Sequence, residues 1–557
     1  MGRFELFRIC SFLFVAGICF FSMIPPKEQQ SKKKINVLFE KYNLIIITAI
    51  LIVGALVRFY KLAELPIGFH VDEAAMAYDA LCIKEYGMDR WLNKNPVYLI
   101  NYGGGQSALM AYLVSFCYSF LGNGSVWAIR LPTAVMGVLA ILVVFLLTKK
   151  IADNTTAVLA AFFTAIFPSL IKMSRFALDC YLMYSVVILA IYVLVIAIEK
   201  KKIFLFALSG FLWGISLYTY AISYVFVPIF LGVTILYLLY FKKINWSQII
   251  TMGIPLGVMA MPLMFMLAIN SHIIPYIELN FITIPILPFY RGGEIRLGTV
   301  ADLVHSIYNL LVFDGWLYNS DKIFNTVYLI SIPLVFVGVI KSLINFIKSI
   351  KNKTFDKSII IFSYIIASIV LLIVVSGPCV NKLNVIYPLL AILAAVGMLE
   401  IFKKSDILGL AVIGIYMIYF CAFSFSYFVN ANPMPLFSDN IEFAVDKVEK
   451  ICPDKHVYIC DNMMDIKYEA LALALQVDPH TYVKNKDVQK ISNYQLKIPV
   501  YLDENENLCE EINDDCVYVL RKSNMTETFE YIRTKLDENN FIKDSTTYYD
   551  IYYKNAN

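Results

Sequence analysis

Residues 131–148, LPTAVMGVLAILVVFLLT, form an uncharged apolar run that ends at Lys149 and Lys150. A helix needs about 20 mainly apolar residues to cross the hydrocarbon core of a bilayer. Backbone groups in lipid must be satisfied within the segment, and a single run of this length does so as an α-helix. The stretch therefore predicts a membrane-spanning helix, with its two lysines at the cytoplasmic end.

Runs of the same kind recur along most of the chain. Its 557 residues are 59% hydrophobic and only 16% charged, with a mean hydropathy of +0.66, whereas soluble domains carry about 25% charged residues. We therefore predict an α-helical polytopic membrane protein of about 11–12 spans. The predicted spans are residues 6–24, 43–60, 127–148, 154–173, 178–198, 203–221, 223–241, 248–268, 326–346, 358–375, 384–402 and 407–428.

Basic residues set the predicted orientation, because Lys and Arg concentrate in short cytoplasmic loops. The basic clusters lie two spans apart only if the apolar run 105–121 is a juxtamembrane or re-entrant helix and not a span. Segment 6–24, with Arg3 before it and Arg8 near its start, resembles a signal anchor as much as a retained span. The clusters are Lys32–Lys33–Lys34 with Lys41, Lys149–Lys150, Lys200–Lys201–Lys202, Lys242–Lys243, five lysines within 341–357, and Lys403–Lys404.

The same orientation places several segments outside, among them a first outer loop at 61–126, loops at 270–325 and 376–383, and the tail. From residue 430 the composition is that of a soluble domain, with alternating strand and helix signals typical of a small α/β fold. We divide the chain into an N-terminal hydrophobic segment with a basic loop (1–42), a membrane domain (43–429) and an extracytoplasmic α/β domain (430–557). The α/β domain contains Cys452, Cys460, Cys509 and Cys516. These four cysteines could form disulfides or remain free thiols.

Two adjacent carboxylates, Asp72 and Glu73, follow the second predicted span in the stretch PIGFHVDEAA (66–75). A carboxylate at this boundary is suited to act as a general base. Acids at this position also cap a helix and complement its dipole. The two interpretations are compatible.

Three further outer-side patterns suit an anionic substrate. The glycines of GGGQS (103–107) either open a helix whose N–H groups bind phosphate or form a hinge. Arg175 and Asp179 share a face if their segment is helical, and Arg175 suits a phosphate, although a structural ion pair is the alternative. Lys382 lies outside, against the positive-inside trend, and either binds a lipid phosphate or snorkels to headgroups.

Aromatic and histidine residues complete the set. Tyr218 and Tyr220 either form a wall for a sugar or belong to an interfacial aromatic belt. The loop 270–325 adds Glu278, Arg291, Glu294, Arg296, His305 and Asp314, which are too scattered to assign.

The five histidines are dispersed, which argues against a zinc site. The paired carboxylates could nevertheless hold Mg²⁺ or Mn²⁺, with water completing the shell.

These residues together resemble the GT-C membrane glycosyltransferases, especially the branch of protein O-mannosyltransferases and lipid A aminoarabinose transferases (glycosyltransferase family thirty-nine). The resemblance covers residues 43–400 and rests on short motifs. They are Asp72-Glu73, the Gly-Gly-Gly-Gln run at 103–106, Leu121-Gly122, Arg130-Leu131-Pro132, and Arg175 with Asp179. One departure is that a Lys-Pro pair of the aminoarabinose transferases is replaced here by Gly104-Gly105-Gln106.

The resemblance implies inverting transfer of a sugar from a polyprenyl-phosphate donor to a protein, lipid or glycan acceptor at the outer face of the cell membrane. Asp72 would be the general base, Glu73 would orient the acceptor or the base, and Arg175 with Lys382 would hold the donor phosphate. We expect the substrate to contact five more residues: His70, Gln106, Asp179, Tyr218 and Tyr220. A multi-pass transporter or lipid flippase is the alternative, although we find no internal repeat of the kind common in transporters.

Overall fold

The structure is a computed structural model, and it describes most of the chain. The described residues are 3–24, 40–102, 104–277, 279–289, 295–430, 434, 436–438, 440–461, 464–502, 508–523 and 525–555. Several residues named above lie outside the described part: Lys32, Lys33, Lys34, Gly103, Glu278, Arg291 and Glu294.

Every predicted span coincides with a helix, which confirms the predicted fold class. Among the described residues, eight helical segments are long and apolar enough to cross a membrane, and five shorter apolar helices accompany them. The membrane-type helices are α1 (Arg3–Met23), α2 (Asn43–Phe59), α5 (Val126–Ile151), α6 (Asn154–Ile166), α8 (Met183–Lys200), α9 (Ile203–Leu217), α10 (Ser223–Tyr240), α11 (Trp246–Asn270), α13 (Ser331–Lys351), α14 (Ile359–Val374), α16 (Tyr387–Lys404) and α17 (Asp406–Val429).

Helix α16 lies at the centre of the bundle and packs closely on α13. A methyl group on Gly338 of α13 would lie 2.1 Å from the carbonyl oxygen of Leu393, and one on Gly397 of α16 would lie 2.1 Å from that of Leu334. The two glycines thus let the backbones touch, as small residues do at helix interfaces in membranes.

The exposed face of α11 carries large apolar side chains instead. Its outward side chains, Ile250, Ile254 and Val258, recur every four residues, as expected of a lipid-facing stripe.

The first outer segment forms a layer of helices and a hairpin above the bundle. It contains α3 (Val71–Tyr86), strands β1 (Tyr98–Asn101) and β2 (Gly104–Ser107), and α4 (Leu109–Leu121). The two strands pair antiparallel, with Asn101 opposite Gly104. The prediction that the glycine run opens a helix is therefore wrong, because Gly104 and Gly105 lie within a strand.

The other outer elements are short. They are α7 (Pro168–Lys172), a 3-10 turn at Asp179–Leu182, α12 (Val300–Leu311), α15 (Val380–Leu383) and a 3-10 turn at Asn384–Ile386. The 3-10 turn at Asp179–Leu182 leads directly into α8, so that residues of the outer layer are fixed to the end of a bundle helix.

The C-terminal region is the expected mixture of helices and strands. A six-stranded sheet has the order β4-β5-β3-β8-β10-β9, and its central strand β3 pairs parallel with both β5 and β8. A separate two-stranded pair is β6-β7. The elements are α18 (Ile441–Ile451), β3 (His456–Cys460), α19 (Met464–Ala474), α20 (Pro479–Asn485), a 3-10 turn (Lys486–Val488), β4 (Lys490–Ile491), β5 (Tyr494–Leu496), β6 (Val500–Leu502), β7 (Leu508–Glu510), β8 (Cys516–Arg521), α21 (Glu527–Glu538), β9 (Ile542–Ser545) and β10 (Tyr549–Tyr553).

Three cysteines of this region, Cys452, Cys460 and Cys516, are free thiols. The side chain of Cys509 lies outside the described residues. Of the two alternatives for these cysteines, the structure therefore shows free thiols at the three positions that it describes.

The C-terminal region packs directly on the outer segment. The backbone N–H of Ser438 donates to the carbonyl of Phe69 at 2.8 Å, and Val71 N–H donates to Leu436 at 3.0 Å. Farther along α3, the hydroxyl of Tyr78 donates to the carbonyl of Val477 at 3.0 Å. The residues just before and within α3 are thus held from both sides, by the bundle and by the C-terminal region.

Candidate active site

Helix α3 begins with a capping box built from the same residues that the sequence singles out. The Nδ1 atom of His70 accepts from the N–H of Asp72 at 3.2 Å, and Glu73 Oε2 accepts from the N–H of His70 at 3.2 Å. The capping interpretation of the acidic pair is correct. It leaves the side chain of Asp72 available for another role.

Glu73 is fully buried in an ion pair with Arg130 of α5. Its Oε1 lies 3.0 Å from Arg130 Nε and accepts from the N–H of Ala177 at 2.9 Å. The same guanidinium donates to the carbonyls of Leu62 and Pro66. Removing one partner of a buried pair of this kind costs about 3–5 kcal/mol. Glu73 therefore anchors the start of α3, which differs from the expected contact with an acceptor.

Asp72 points the other way and is 39% exposed. Its Oδ1 accepts from Asn101 Nδ2 at 2.8 Å, across from the tip of the hairpin. Gln106 Nε2 lies 3.4 Å from the backbone carbonyl oxygen of Asp72. The second carboxylate oxygen of Asp72, Oδ2, lies 3.8 Å from His70 Nδ1. Because Asn101 occupies one carboxylate oxygen and no described residue bonds to the other, Oδ2 is placed to accept a proton from outside.

His70 is a neutral cap and not an acid. Burial lowers the pKa of His70, and the charges of Asp72 and Glu73 oppose this lowering only in part. Because Nδ1 accepts a hydrogen bond, the neutral ring carries its proton on Nε2. The ring packs edge-on against Tyr318, with centroids 4.8 Å apart. His70 thus joins Asp72 to the outer loop that contains Tyr318.

Asp179 lies on the other side of Asp72, close enough for the two charges to interact. It is buried, and its Oδ2 accepts from the N–H of Ser107 at 2.9 Å. Tyr318 interacts electrostatically with Asp72 as well. The structure thus brings His70, Gln106 and Asp179 near Asp72, together with Asn101 and Tyr318, and the contact of the first three with substrate stays a prediction.

Arg175 does not share a helical face with Asp179, because the chain around it forms turns between α7 and the 3-10 turn at Asp179–Leu182. Its side chain is buried, and its guanidinium lies over the rings of Tyr427 and Phe428. Its NH1 and NH2 atoms donate, over 2.7–3.2 Å, to the carbonyls of Val57, Arg58, Tyr60, Lys61 and Leu65. This geometry corrects the expectation of a phosphate ligand: Arg175 holds the end of α2 and the turn after it.

Lys382 lies beside a polar cleft of about 240 Å³ at the outer end of α14. Its Nζ donates to the carbonyl of Ser376 at 2.9 Å. The cleft is lined by Arg296, Asp302, His305 and Ser376, among others. Arg296 and His305 thus line one cleft, and Lys382 is held beside it through Ser376, whereas the sequence alone shows these residues as scattered.

Tyr218 faces a second, apolar cleft of about 430 Å³. Its hydroxyl donates to the carbonyl of Met259 at 2.8 Å, and its ring lines the cleft with Leu109, Tyr112 and Phe281. Tyr220 packs against the hydrophobic core. Neither tyrosine lies among the residues around Asp72, and the contact of this pair with a sugar stays a prediction.

A divalent cation does not fit the acidic pair in this geometry. The carboxylate of Glu73 already binds Arg130 and backbone N–H groups, so that only Asp72 could offer oxygen ligands. Among the described residues, no three His, Cys, Asp or Glu side chains come together as metal ligands.

Comparison with known proteins gives a match to one family and to several solved structures. Residues 106–270 match the family of dolichyl-phosphate-mannose-protein mannosyltransferases. The structure of ArnT from Cupriavidus metallidurans in the apo state is similar, with a TM-score of 0.51 and 12% identity over 92% of this chain and 98% of that one. The chain therefore resembles the mannosyltransferase family over residues 106–270 and has a fold similar to that of ArnT.

Two further structures are similar to this chain. ArnT from the same organism bound to undecaprenyl phosphate gives a TM-score of 0.51 and 11% identity, with 92% of this chain and 98% of that one covered. The Archaeoglobus fulgidus oligosaccharyltransferase in the apo form gives 0.47 and 13% identity, over 78% of this chain. The chain spans 64% of that oligosaccharyltransferase. Among curated protein sequences, none matches this chain.

Proposed function

We propose that this membrane glycosyltransferase transfers a sugar from a polyprenyl-phosphate donor to an acceptor hydroxyl or amide of a protein, lipid or glycan. Asp72 takes the proton of the acceptor while the acceptor atom attacks the anomeric carbon of the sugar. The bond between that carbon and the phosphate oxygen breaks, and polyprenyl phosphate leaves with the electron pair. A single displacement of this kind inverts the anomeric centre.

The observation that carries the proposal is the position of Asp72. Its neighbours Glu73 and Asp179 are buried and bonded to an arginine or to backbone N–H groups, whereas Asp72 is 39% exposed. A general base must reach the proton that it removes, directly or through one water. Of the three carboxylates, Asp72 alone meets this condition.

The polar cleft beside Lys382 is the site that we propose for the donor phosphate. Arg296 lines it together with Asp302 and His305, and Lys382 is held beside it by the carbonyl of the lining residue Ser376. Cations placed at the leaving phosphate stabilise the charge that develops there. Hydrogen bonds join the short segment after the cleft to other outer elements: the N–H of Val380 donates to Asp314 Oδ2 at 2.9 Å, and Asn381 Oδ1 accepts from the hydroxyl of Tyr181 at 2.9 Å. Tyr181 lies two residues after Asp179.

The apolar cleft beside Tyr218 suits the isoprenoid chain. It lies between the outer segment and helices α9 and α11, with Ile215 and Met259 from the two helices among its lining residues. An apolar tail gains about 0.8 kcal/mol for each buried CH₂. The similar ArnT structure that contains undecaprenyl phosphate supports a donor of this chemical class.

Both proposed clefts lie on one side of the bundle, and the basic loops lie on the other. We therefore infer that the site and the C-terminal domain are extracytoplasmic in the cell membrane, as the distribution of lysines predicts.

The test uses the purified full-length protein in lipid nanodiscs, given a panel of labelled polyprenyl-phosphate sugars. Wild-type protein is expected to release polyprenyl phosphate from at least one donor. Asp72→Asn is expected to reduce this release by about 10²-fold or more, since a positioned general base contributes 10²–10⁴-fold.

Glu85→Gln is the matched control, because Glu85 is an exposed carboxylate at the other end of the same helix. It should retain wild-type turnover. Full activity of a folded Asp72→Asn variant would show that Asp72 is only part of the cap, and release from no donor would contradict the proposed reaction.

A further inference from the structure

We propose that Asn101 is a positioning residue for Asp72, and that the C-terminal domain keeps it in place through Glu469 and Tyr102. This inference rests on the proposed function, because Asp72 is taken as the base. It extends that function by making the soluble domain part of the catalytic machinery.

Asn101 lies at the end of β1 and bridges an arginine and the base. Its Nδ2 donates to Asp72 Oδ1 at 2.8 Å, and its Oδ1 accepts from Arg90 NH2, also at 2.8 Å. A guanidinium has only donors. Arg90 therefore fixes the orientation of the amide, and the amide nitrogen must face Asp72. Through this contact, a single directed N–H donor holds Oδ1 of Asp72.

Arg90 is itself held rigidly and is only 1% exposed. Its backbone N–H donates to Asp79 Oδ1 at 3.0 Å, and its guanidinium lies 3.7 Å from Asp79 Oδ2. Its NH2 also donates to the carbonyl of Ile100 at 2.8 Å. Helix α3 thus supplies both the base and, two turns later, the carboxylate that places Arg90.

The C-terminal domain holds the residue next to Asn101. Tyr102 has a φ of 45°, in the left-handed region that a tyrosine rarely adopts. Its hydroxyl donates to Glu469 Oε2 at 3.1 Å. Glu469 is 2% exposed, and its other oxygen accepts from Tyr482 at 3.0 Å and from Lys486 at 3.2 Å. The domain thus fixes the tip of the hairpin, and with it the amide of Asn101.

One carboxylate oxygen of Asp72 therefore accepts a hydrogen bond from Asn101, and the other is left for the acceptor's proton. Asn101 engages Oδ1, so that Oδ2 is the oxygen that takes the proton. Without Asn101, the carboxylate can rotate about its side-chain bonds, and fewer molecules present the reactive geometry. A displacement of about 1 Å at a catalytic group can lower a rate by 10²-fold.

The first test compares Asn101→Ala with wild type in the polyprenyl-phosphate release assay. We expect kcat to fall about tenfold or more, with KM for the donor within twofold, because the interaction acts on the base and not on donor binding. Tyr102→Phe, which removes only the hydroxyl bonded to Glu469, should lower kcat by a smaller factor with the same unchanged KM.

The second test is the pH profile of Asn101→Asp, a substitution of nearly equal size. A second carboxylate beside Asp72 disfavours its ionisation, so the acid limb of the profile should move to higher pH. The other titratable groups that interact with Asp72 are His70, Tyr102, Asp179, Cys180 and Tyr318, and none of them changes in this variant. A purely structural role for Asn101 would leave the acid limb in place.

Asn123→Ala is the matched control. Asn123 makes the same kind of bridge at the surface of the outer segment, accepting from Lys84 at 2.8 Å and donating to Glu85 at 2.9 Å. It should retain wild-type kcat and pH profile. Thermal unfolding in nanodiscs reports whether each variant is folded.

The outcomes separate the inference from the proposed function. If wild type releases polyprenyl phosphate and Asn101→Ala and Asn101→Asp keep its kcat and pH profile, Asn101 has no positioning role. If Asn101→Ala loses kcat but Tyr102→Phe does not, the role assigned to the C-terminal domain is wrong. If wild type is inactive with every donor, the proposed function itself is contradicted.

Discussion

Asp72 and Glu73 are neighbours in the chain but face in different directions, because successive residues of a helix are rotated by about 100°. One side chain turns inward to Arg130 and the other reaches the outer surface. A pair of carboxylates in the first turn of a helix can therefore divide two tasks, anchoring the helix and presenting a base.

Glu73→Gln is expected to destabilise the protein, since the amide keeps the shape but leaves the charge of Arg130 buried without its counterion. Loss of one partner from such a pair costs about 3–5 kcal/mol. Thermal unfolding in nanodiscs should show a clear decrease in Tm. Glu64→Gln is the control, because Glu64 and Lys61 form an exposed pair at 3.8 Å, and exposed pairs contribute about 0–1 kcal/mol. Equal Tm values for the two variants would contradict the anchoring role.

The residues around Asp72 could be predicted only in part from the sequence. The acidic pair is recognisable because it follows an apolar run directly. The contact of Asn101 with Asp72 depends on the hairpin, and four-residue strands rich in glycine carry little periodic signal. The outer position of Arg175 and its planar guanidinium favour a phosphate ligand when the sequence is considered alone. In the structure, the carbonyls at the end of α2 and the ring of Phe428, both far away in the chain, determine its role.

At the scale of elements, the hairpin β1–β2 depends on a close contact that excludes any larger residue at Gly105. A methyl group there would lie 2.2 Å from the ring of Tyr98, which is buried. The same methyl would also crowd a second side chain, because it would lie 3.1 Å from Leu287. The hairpin carries both Asn101 and Gln106, so its position matters for the site.

Gly105→Ala is therefore expected to lower turnover several-fold and to lower Tm, because overpacking of this kind costs about 1–3 kcal/mol. The release assay and thermal unfolding measure the two effects. A second substitution, Tyr98→Leu, should restore part of the activity by making room for the methyl. Gly253→Ala on the lipid-facing helix α11, where no atom lies within 4 Å of the added methyl, is the control. A fully active Gly105→Ala variant would show that the hairpin tolerates displacement.

The helices themselves were predictable because each depends on one local property, a long apolar run. All twelve predicted runs are helical, and the errors are confined to their ends, where short 3-10 turns and breaks such as that at Phe167 interrupt them. The packing between them is not local. The contact between α13 and α16 rests on Gly338 and Gly397, and nothing in either run alone identifies its partner.

At the scale of the whole molecule, the distribution of lysines predicts that the C-terminal domain lies outside the cytoplasm. A phosphatase reporter that folds only outside the cytoplasm should be active when fused after Asn557 in a bacterial host. The same reporter fused after Lys243, in a basic loop, should be inactive. The opposite pattern would reverse the orientation and place the site at the inner face.

The contacts between residues 69–102 and 436–486 also determine at which stage of its synthesis the protein can become active. Residue 72 leaves the ribosome almost 400 positions before Glu469, and contacts so distant in the chain form late in folding. The hairpin beside Asp72 lacks its restraint from Glu469 until synthesis has passed that residue. In a chain that is still being translated, the residues around Asp72 are therefore incompletely ordered. A protein truncated before its last hundred residues would insert its helices into the membrane but would have little or no activity.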